Sequence, residues 1–420
     1  MGLQSLATIV GTPVGPLLLQ SLPVLFELYM DKGDVVREAA IAAVKSILKI
    51  FPPEALGLVL RHLEIIFKQT KQWKSKVGVL DAIKTLATQN KAQIGEELGA
   101  TLPHIEHVMH DTKAEVASAA IKCGTALCAT LPNPDLLPHV PALVKCMSNP
   151  ETVAACIKSL SNTTFVAEVT APALAVLVPL LTRALNDRGM EVQRRTVIVI
   201  DNLVKLVRDP KVAATYLSGL VEGVDKIMET ASFPEVRAFA AAAHATLIKA
   251  GASSGAPPPP RRDITAEVES TLREMAPILP KQLFVSLDPL TPFHPSFATC
   301  LNFSGNLVAD LVYQKNYGDV AAWKRCVGMY LAPWIDIYGN PKIDSGEISE
   351  LIRVHFHALY KAQFVPLANG NADEGEVLCE TLFSLAYGAL LLLSHTTLRL
   401  IRGRRYGILG SNGSGKSTLL

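Results

Sequence analysis

The chain has 420 residues, of which 49% are hydrophobic, and this is long enough for two or three domains with sizeable cores. A formal net charge of +2 excludes binding of nucleic acid through a global positive field, so any such contact has to come from local patches. The seven cysteines have no C-x-x-C pair and no regular spacing, which excludes a disulfide framework and indicates reduced core cysteines in a cytosolic protein.

The first segment of the chain, Met1 to Phe26, is apolar, but it lacks a basic stretch and is interrupted by Gly11, Pro13 and Pro23. It is therefore not predicted to be a signal peptide. The pattern predicts elements inside a helical array, as if that array began before Met1. No run of 18 apolar residues occurs in the sequence, so no membrane-spanning segment is predicted.

Residues 1–250 are predicted to form an array of helix pairs. A valine near the start of each second helix marks the repeat, and these valines are 41, 39, 37, 39 and 44 residues apart. The marker valines are Val36, Val77, Val116, Val153, Val192 and Val236. A period near 40 residues with two helices per unit is typical of HEAT or armadillo repeats, which stack into a solenoid with open surfaces. The sequence therefore predicts a binding scaffold without catalytic chemistry.

One basic stretch interrupts this array between Ile65 and Leu80, where lysines surround Trp73 and no acidic residue occurs before Asp81. The lysines are Lys68, Lys71, Lys74 and Lys76. A basic loop with an aromatic residue is suited to bind a phosphate backbone. A solvated loop with Trp73 packed on the next helix is the alternative, and the residues alone leave both open.

Other polar clusters in the chain are weaker candidates. A group of arginines is interleaved with Asp187 and Glu191, which weakens it as a nucleic-acid site; its members are Arg183, Arg188, Arg194 and Arg195. Histidines recur every three residues at His104, His107 and His110. Because Zn²⁺ needs further ligands and no Cys or acidic partner is evident, a solvated helix face is predicted. The pair His355 and His357 is likewise predicted at the surface.

The second half of the chain changes character at residues 251–263, whose Pro, Gly and Ser content predicts a semi-rigid linker. Residues 264–366 contain about four helical patterns without the 40-residue period, and these predict a small helical bundle. Residues 367–377 form a second, acidic linker. Beyond it, Leu378 to Leu400 alternates in hydrophobicity and predicts antiparallel strands.

The last segment, residues 378–420, is predicted to begin an α/β P-loop domain. An apolar run ending at Leu409 leads into G-x-x-x-x-G-K-S, whose backbone N–H groups would face phosphate oxygens. The predicted nucleotide-binding residues are Gly410, Ser411, Asn412, Gly413, Ser414, Gly415, Lys416, Ser417 and Thr418. Lys416 is expected to reach the β/γ-phosphates of ATP, and the Ser417 hydroxyl is expected to bind Mg²⁺. Tyr387 stacks on the adenine ring or is an ordinary core tyrosine, and both interpretations stay open.

Two sets of motifs resemble a known family. The loop GSNGSGKSTLL, preceded by FSLAYGALLLL and RLIRGRRYGILG, resembles ABC-type ATPase cassettes. Residues 162–188 and 197–212 resemble the HEAT array of fungal translation elongation factor 3. The order of HEAT array, bundle, acidic linker and cassette is also similar, and the resemblance covers essentially the whole chain.

This resemblance implies a cytosolic ABC-F ATPase without a membrane domain, which binds the ribosome and uses ATP to promote release of tRNA from the exit site. It implies that Tyr387 stacks on adenine, that Gly410 to Thr418 form a Walker A loop, and that the array contacts ribosomal RNA and protein. Because the bundle is only loosely similar, a paralogous ribosome-associated translation protein and a messenger-RNA export factor remain alternatives. A scaffold without ATP turnover is a third.

The family pattern places the signature sequence, Walker B and the second cassette after the segment at which this chain ends. We therefore expect no catalytic residue within these 420 residues and no ATP hydrolysis by this chain alone.

Overall fold

The computed structural model describes residues 1–207, 209–252, 263–280, 283, 295–338, 346–363, 377–387, 390–403 and 406–407, in two compact units, Met1–His357 and Ala358–Leu420. Helices up to residue 250 are α1 Gly2–Val10, α2 Gly15–Leu19, α3 Leu22–Glu27, α4 Asp34–Lys49, α5 Leu56–Gln69, α6 Trp73–Gln89, α7 Lys91–Glu96, α8 Leu98–Val108, α9 Ala114–Cys128, α10 Val140–Ser148, α11 Val153–Ser161, α12 Ala171–Leu185, α13 Met190–Val204, α14 Pro210–Tyr216, α15 Ser218–Thr230 and α16 Pro234–Ala250.

The predicted array of helix pairs is confirmed. Each marker valine lies within the first five residues of a second helix, and these helices are α4, α6, α9, α11, α13 and α16. Second helices contact one another from pair to pair, as α4 with α6, α6 with α9, α11 with α13 and α13 with α16. In α6, for example, Val79, Ile83 and Leu86 are buried at spacings of four and three residues, so one helical face is covered by its neighbours.

A recurring turn joins the two helices of a pair. The Asp31 carboxylate accepts a hydrogen bond from the Gly33 N–H at 2.8 Å, and the Asp187 carboxylate accepts one from the Gly189 N–H at 2.7 Å. Six residues after the aspartate, a side chain of the second helix donates back to its carbonyl oxygen, as Arg37 does at 2.6 Å. Local side-chain bonds of this kind replace the backbone partners that a turn lacks.

Further described helices lie after residue 263, in the segment for which the sequence predicts a helical bundle. They are α17 Ile264–Met275, α18 Pro295–Tyr313, α19 Val320–Trp323, α20 Met329–Tyr338 and α21 Ile348–Gln363, with a π-helical turn at Lys324–Gly328 between α19 and α20. Pro333 lies inside α20 and has no N–H to donate to the carbonyl four residues earlier, at Met329. The Ser304 hydroxyl of α18 donates to the Cys326 carbonyl of the π turn at 2.8 Å, which fixes this irregular segment in the core.

The bundle and the first repeat share one core within the unit Met1–His357. Phe51 packs against Phe303 of α18 with ring centroids 5.8 Å apart, and Phe303 packs edge-on against Tyr330 of α20 at 5.0 Å. Two ion pairs cross the same junction: Arg325 binds Glu54, and Arg61 lies 3.0 Å from Asp310. The predicted linker at 251–263 thus lies between two sets of helices in the sequence. In the fold, these two sets pack together at this junction.

The second unit contains a β-hairpin, as the alternation between Leu378 and Leu400 predicts. Strand β1, Val377–Tyr387, pairs antiparallel with β2, Leu390–Ile401. Glu380 lies opposite Arg399 in this register, and the two side chains form an ion pair at 3.5 Å. The phosphate-binding loop predicted to start at Gly410, within the predicted domain 378–420, falls outside the described residues.

The cysteines agree with the prediction of core thiols. All seven are free; six are buried, and Cys379 is intermediate in exposure. Burial raises the pKa of the Cys128 thiol to about 12, so this group stays protonated at neutral pH.

Apolar helices within the described residues do not provide a straight membrane span. No single described helix is both long and apolar enough to cross a membrane. The two segments Thr12–Leu19 and Leu22–Met30 meet the length and composition criteria only as a pair, and they are bent by 64°.

Candidate nucleic-acid interface

The basic stretch predicted around Trp73 forms the turn between α5 and α6. The Thr70 hydroxyl donates to the Ile66 carbonyl at 2.7 Å at the end of α5, and Gln72 is extended. Trp73 is the first residue of α6. Lys71 and Lys74 flank Trp73 in the sequence, and both are exposed.

Trp73 is half-buried, and ammonium groups from two repeats lie near its ring. The Lys74 Nζ is 5.7 Å from the ring centroid, and the Lys113 Nζ is 5.2 Å from it. Lys113 belongs to the next turn along the array, where its N–H donates to the Asp111 carboxylate at 2.8 Å. Cations at this distance from an indole are attracted by its π electrons, which keeps both ammonium groups beside the ring.

Lys76 has a different environment from the other lysines. Its ammonium lies 3.6 Å from the Asp111 carboxylate and 5.7 Å from the centroid of the Phe67 ring. It therefore links the second and third repeats and is partly neutralised there. By contrast, Lys68, Lys71 and Lys74 are exposed and form no ion pair within the part of the chain that the structure describes.

The site that emerges is Trp73 with Lys68, Lys71, Lys74 and Lys113, hereafter the Trp73 patch. Lys113 was missed by the sequence analysis because it is 40 residues from Trp73. The signal was present in the repeat: Asp111 precedes Val116 by five residues, as Asp31 precedes Val36 and Asp187 precedes Val192. Alignment of the repeats on this aspartate places Lys113 at a turn that neighbours the turn of Trp73.

The start of α6 differs from that of most second helices in its charge. Acidic residues occupy the first turn of α4, α9, α13 and α16, although not of α11, and they interact favourably with the positive end of the helix dipole. Helix α6 has no acidic residue there and carries Lys74 and Lys76 instead. The positive charges of these two lysines thus add to the positive end of the helix dipole, and the turn attracts anions.

Comparison with known proteins matches two family models to the array. The model described as EF3 N-terminal HEAT repeat covers residues 3–123, and the model described as Elongation factor 3/GNC1 HEAT repeat covers residues 151–257. The array is thus similar to the HEAT repeats of the elongation factor 3 family over both of these ranges.

Relatives in this family match nearly the whole chain. The mRNA export factor elf1 of Schizosaccharomyces pombe is 40% identical over 98% of this chain and 38% of its own length. Elongation factor 3 of Eremothecium gossypii is 34% identical over 93% of this chain and 36% of its own, and elongation factor 3A of Saccharomyces cerevisiae is 32% identical over 97% and 37%. The chain thus spans less than two fifths of the length of these relatives.

Two members of the arginine group make contacts between helices. Arg183 of α12 donates to Glu106 at 3.0 Å and to the Cys146 carbonyl at 3.1 Å. Arg194 of α13 lies 3.0 Å from Glu235 of α16. These contacts agree with its lower rank as a nucleic-acid site.

The histidine clusters do not assemble a metal site among the described residues, where no group of three His, Cys, Asp or Glu side chains could hold an ion. His104 and His107 are exposed on α8, while His110 follows that helix and has its Nε2 2.9 Å from the Met147 carbonyl oxygen. In the bundle, His355 Nε2 lies 2.8 Å from Glu274, and His357 stacks on Tyr317 at 5.1 Å. The last two are thus packing residues at the surface of the bundle.

The predicted nucleotide site lies largely outside the described residues. Gly410 to Thr418 all lie outside the described residues. The roles predicted for Lys416 with phosphate and for Ser417 with Mg²⁺ therefore stay predictions. Tyr387 is the last residue of β1 and pairs with Leu390, but its ring is not among the described side chains. ATP and Mg²⁺ binding are therefore proposals for this chain.

Proposed function

We propose that this chain works in translation, as part of an ATP-dependent factor of the elongation factor 3 type that binds the cytoplasmic ribosome. The observation that carries the proposal is the match of the array to two elongation factor 3 HEAT models, together with relatives of that name along 93–97% of the chain. In this proposal the array binds the ribosome, and the segment from Tyr387 to Thr418 binds ATP with Mg²⁺. Release of tRNA from the exit site is the step that ATP use would promote.

The Trp73 patch supports a contact with ribosomal RNA. Its exposed lysines offer charge to the phosphate backbone, and Trp73 offers a ring on which an unpaired base can stack. Arg or Lys contacts to phosphate carry affinity without sequence selectivity, which suits a protein that binds one large RNA surface.

Charge reversal tests this contact. We expect the triple variant K68E/K71E/K74E to bind ribosomes and ribosomal RNA at least about tenfold more weakly than the unchanged chain. The slope of log affinity against log salt should fall by about two, because three phosphate contacts to a single strand are lost. Co-sedimentation with ribosomes across a salt series measures both quantities.

The matched control reverses three exposed lysines on helices away from the Trp73 patch, in the variant K45E/K49E/K122E. It makes the same change in net charge. Equal loss of binding in both variants would show a general charge effect and contradict a specific role of the patch.

ATP hydrolysis is proposed for the whole protein and not for this chain alone. We expect no turnover by the 420-residue chain, since the family pattern closes an ABC site with a signature sequence from a partner cassette. Clear phosphate release by this chain that is lost in Lys416→Ala would overturn this expectation.

A role in messenger-RNA export is a second candidate, favoured by the 40% identity to the protein named mRNA export factor elf1. In cells, fractionation separates the two roles. Co-migration with polysomes supports translation, whereas nuclear enrichment without ribosome association would overturn the translation proposal in favour of export.

A further inference from the structure

Two cysteines lie in contact within the fourth helix pair. Cys146 is in the last turn of α10, and Cys156 is in the first turn of α11. Their thiols form a side-chain hydrogen bond with one another. Both are free and almost fully buried, at 1% and 2% exposure. The fold thus holds two reduced sulfur atoms side by side on adjacent helices.

The two thiols of this pair differ in acidity. The Cys156 thiol donates a hydrogen bond to the Cys146 sulfur, and this bond lowers the pKa of Cys146 although burial opposes the shift. The positive charges of Arg183 and Lys145 also lower this pKa. The same hydrogen bond, together with burial, raises the pKa of Cys156. Cys146 is therefore the thiol that more readily forms a nucleophilic thiolate, and Cys156 keeps its proton.

The other buried cysteines are less acidic than Cys146. Burial raises the pKa of each of them, and they are Cys123, Cys128, Cys300 and Cys326. Since a thiol has to lose its proton to act as a nucleophile, we expect these four to be inert at neutral pH. Among the buried thiols, Cys146 is thus distinguished by the groups that it contacts.

Polar groups and a small cavity adjoin Cys146. Thr152 Oγ1 lies 3.5 Å from Cys146 Sγ, and the Arg183 guanidinium donates to the Cys146 carbonyl at 3.1 Å. A cavity of about 10 Å³ lies beside the residue, between α8, α10 and α12, and this is about the volume that one water-sized molecule occupies. Among its lining residues, Glu106, Pro179 and Arg183 are partly or fully exposed. A small neutral molecule therefore has to pass only these side chains to reach α10 at Cys146.

We propose that Cys146 and Cys156 form a dithiol that hydrogen peroxide oxidises to a disulfide. In the first step the Cys146 sulfur attacks one peroxide oxygen, an S–O bond forms as the O–O bond breaks, and the leaving hydroxide takes up the proton that Cys146 has lost. In the second step the Cys156 sulfur attacks the sulfur of this sulfenic acid, an S–S bond forms as the S–O bond breaks, and the hydroxide leaves with the Cys156 proton as a second water. The two sulfurs are oxidised, the peroxide is reduced to water, and a thiol reductant restores the dithiol.

The disulfide would join the two helices of the fourth pair covalently. Helix α10 contacts α9 and α12, and α11 contacts α12 and α13. Because each pair of such an array packs on its neighbours, a shift of α10 against α11 reaches the third and the fifth pair. Oxidation would thus act on the middle of the array, and this inference is independent of ribosome binding.

Peptide mapping by mass spectrometry without reductant tests the proposal. After treatment of the 420-residue chain with hydrogen peroxide, we expect the peptides of Cys146 and Cys156 to be joined, and dithiothreitol to separate them. In Cys156→Ser the reaction should stop at the sulfenic acid of Cys146, which dimedone labels. In Cys146→Ser the labelling of Cys156 should be at least about tenfold lower, because this thiol keeps its proton.

The matched control is Cys128→Ser, which removes a buried thiol of α9 whose pKa is raised. It should form the disulfide to the same extent as the unchanged chain. Absence of both the disulfide and the Cys146 sulfenic acid would overturn the proposal, and so would equal dimedone labelling in Cys156→Ser and Cys146→Ser. Equal oxidation of all six buried cysteines would show that peroxide reaches them by unfolding, and this too would contradict a selective site.

Discussion

At the scale of single residues, Gly78 shows how a small side chain lets two elements approach. A Cβ atom at this position of α6 would lie 2.4 Å from Cε2 of Tyr29 and 2.5 Å from its Cδ2. Tyr29 is held in place by Phe26, with ring centroids 5.4 Å apart. The first and second repeats therefore pack closely only because residue 78 lacks a side chain.

We expect Gly78→Ala to lower the free energy of unfolding by about 1–3 kcal/mol, because the Tyr29 ring has to move out of a packed site. The gain in helix propensity from alanine offsets only part of this loss. Urea unfolding followed by circular dichroism measures the change.

Gly219 of α15 provides the matched control, since a Cβ atom there meets nothing within 4 Å. Gly219→Ala should raise the free energy of unfolding by about 0.5 kcal/mol through the unfolded chain. If both variants change stability in the same direction, contact with Tyr29 is not the cause of the effect at Gly78.

At the scale of elements, the turn between paired helices is the feature that recurs. Aspartate binds the N–H two residues later at Asp31, Asp111 and Asp187. Around Trp73 this aspartate is missing, and Thr70 ends α5 instead. Among the first three helix pairs, the second is thus the one whose turn lacks the aspartate. This is also the turn that presents the Trp73 patch.

We expect Asp187→Ala to cost about 1 kcal/mol of stability, as does the loss of a comparable side-chain bond at a helix start. Asp187→Asn keeps an oxygen for the Gly189 N–H and should cost much less. Thermal unfolding of the two variants compares them directly. A loss in Asp187→Asn as large as in Asp187→Ala would assign the effect to charge and not to the turn.

The positions of the second helices can be predicted from the sequence. The marker valines place the second helices correctly because each helix buries one face at a period near 3.6 residues, and each pair repeats that pattern. The break between α19 and α20 was not predicted, since residues 319–338 carry one continuous helical pattern. The carbonyl of Cys326 in the π turn is bonded by Ser304, which is 22 residues earlier in the chain.

At the scale of the molecule, the junction between the first repeat and the bundle combines an aromatic core with ion pairs. Glu54 receives two hydrogen bonds from Arg325 Nε, at 3.0 and 3.2 Å, and a further one from its Nη2. The Arg325 side chain is 35% exposed and that of Glu54 is 20% exposed, so water screens the pair only in part. Glu54 in turn raises the pKa of Arg325.

A double-mutant cycle with Glu54→Gln and Arg325→Met tests whether this pair joins the two sets of helices. We expect a coupling of about 1 kcal/mol in the free energy of unfolding, since several bonds of fixed geometry link the two groups. The coupling should shrink in about 1 M salt, which screens partly exposed charges.

The exposed pair of Lys84 and Asp81, 3.3 Å apart within α6, is the control for this cycle. Its coupling should stay below about 0.5 kcal/mol. Equal coupling in the two cycles would contradict a specific role of the Glu54 pair in holding the junction.

The candidate sites were predictable to different extents. Lys68, Lys71, Trp73 and Lys74 are neighbours in sequence, so their common surface follows from one turn. Lys113 joins them because helix pairs stack, and Asp111 withdraws Lys76 for the same reason. The contact between Gln20 and Thr299 was not predicted, since the two residues are 279 positions apart.

The sequence by itself determined the helix pairs, the hairpin and the similarity to elongation factor 3, because these depend on local periodicity and on motifs within one stretch of chain. Only the tertiary structure decided that the bundle packs on the first repeat. That contact depends on shape and charge between residues such as Glu54 and Arg325, which are 271 positions apart. No local pattern records which distant faces fit one another, so the junction appears only when the chain is folded.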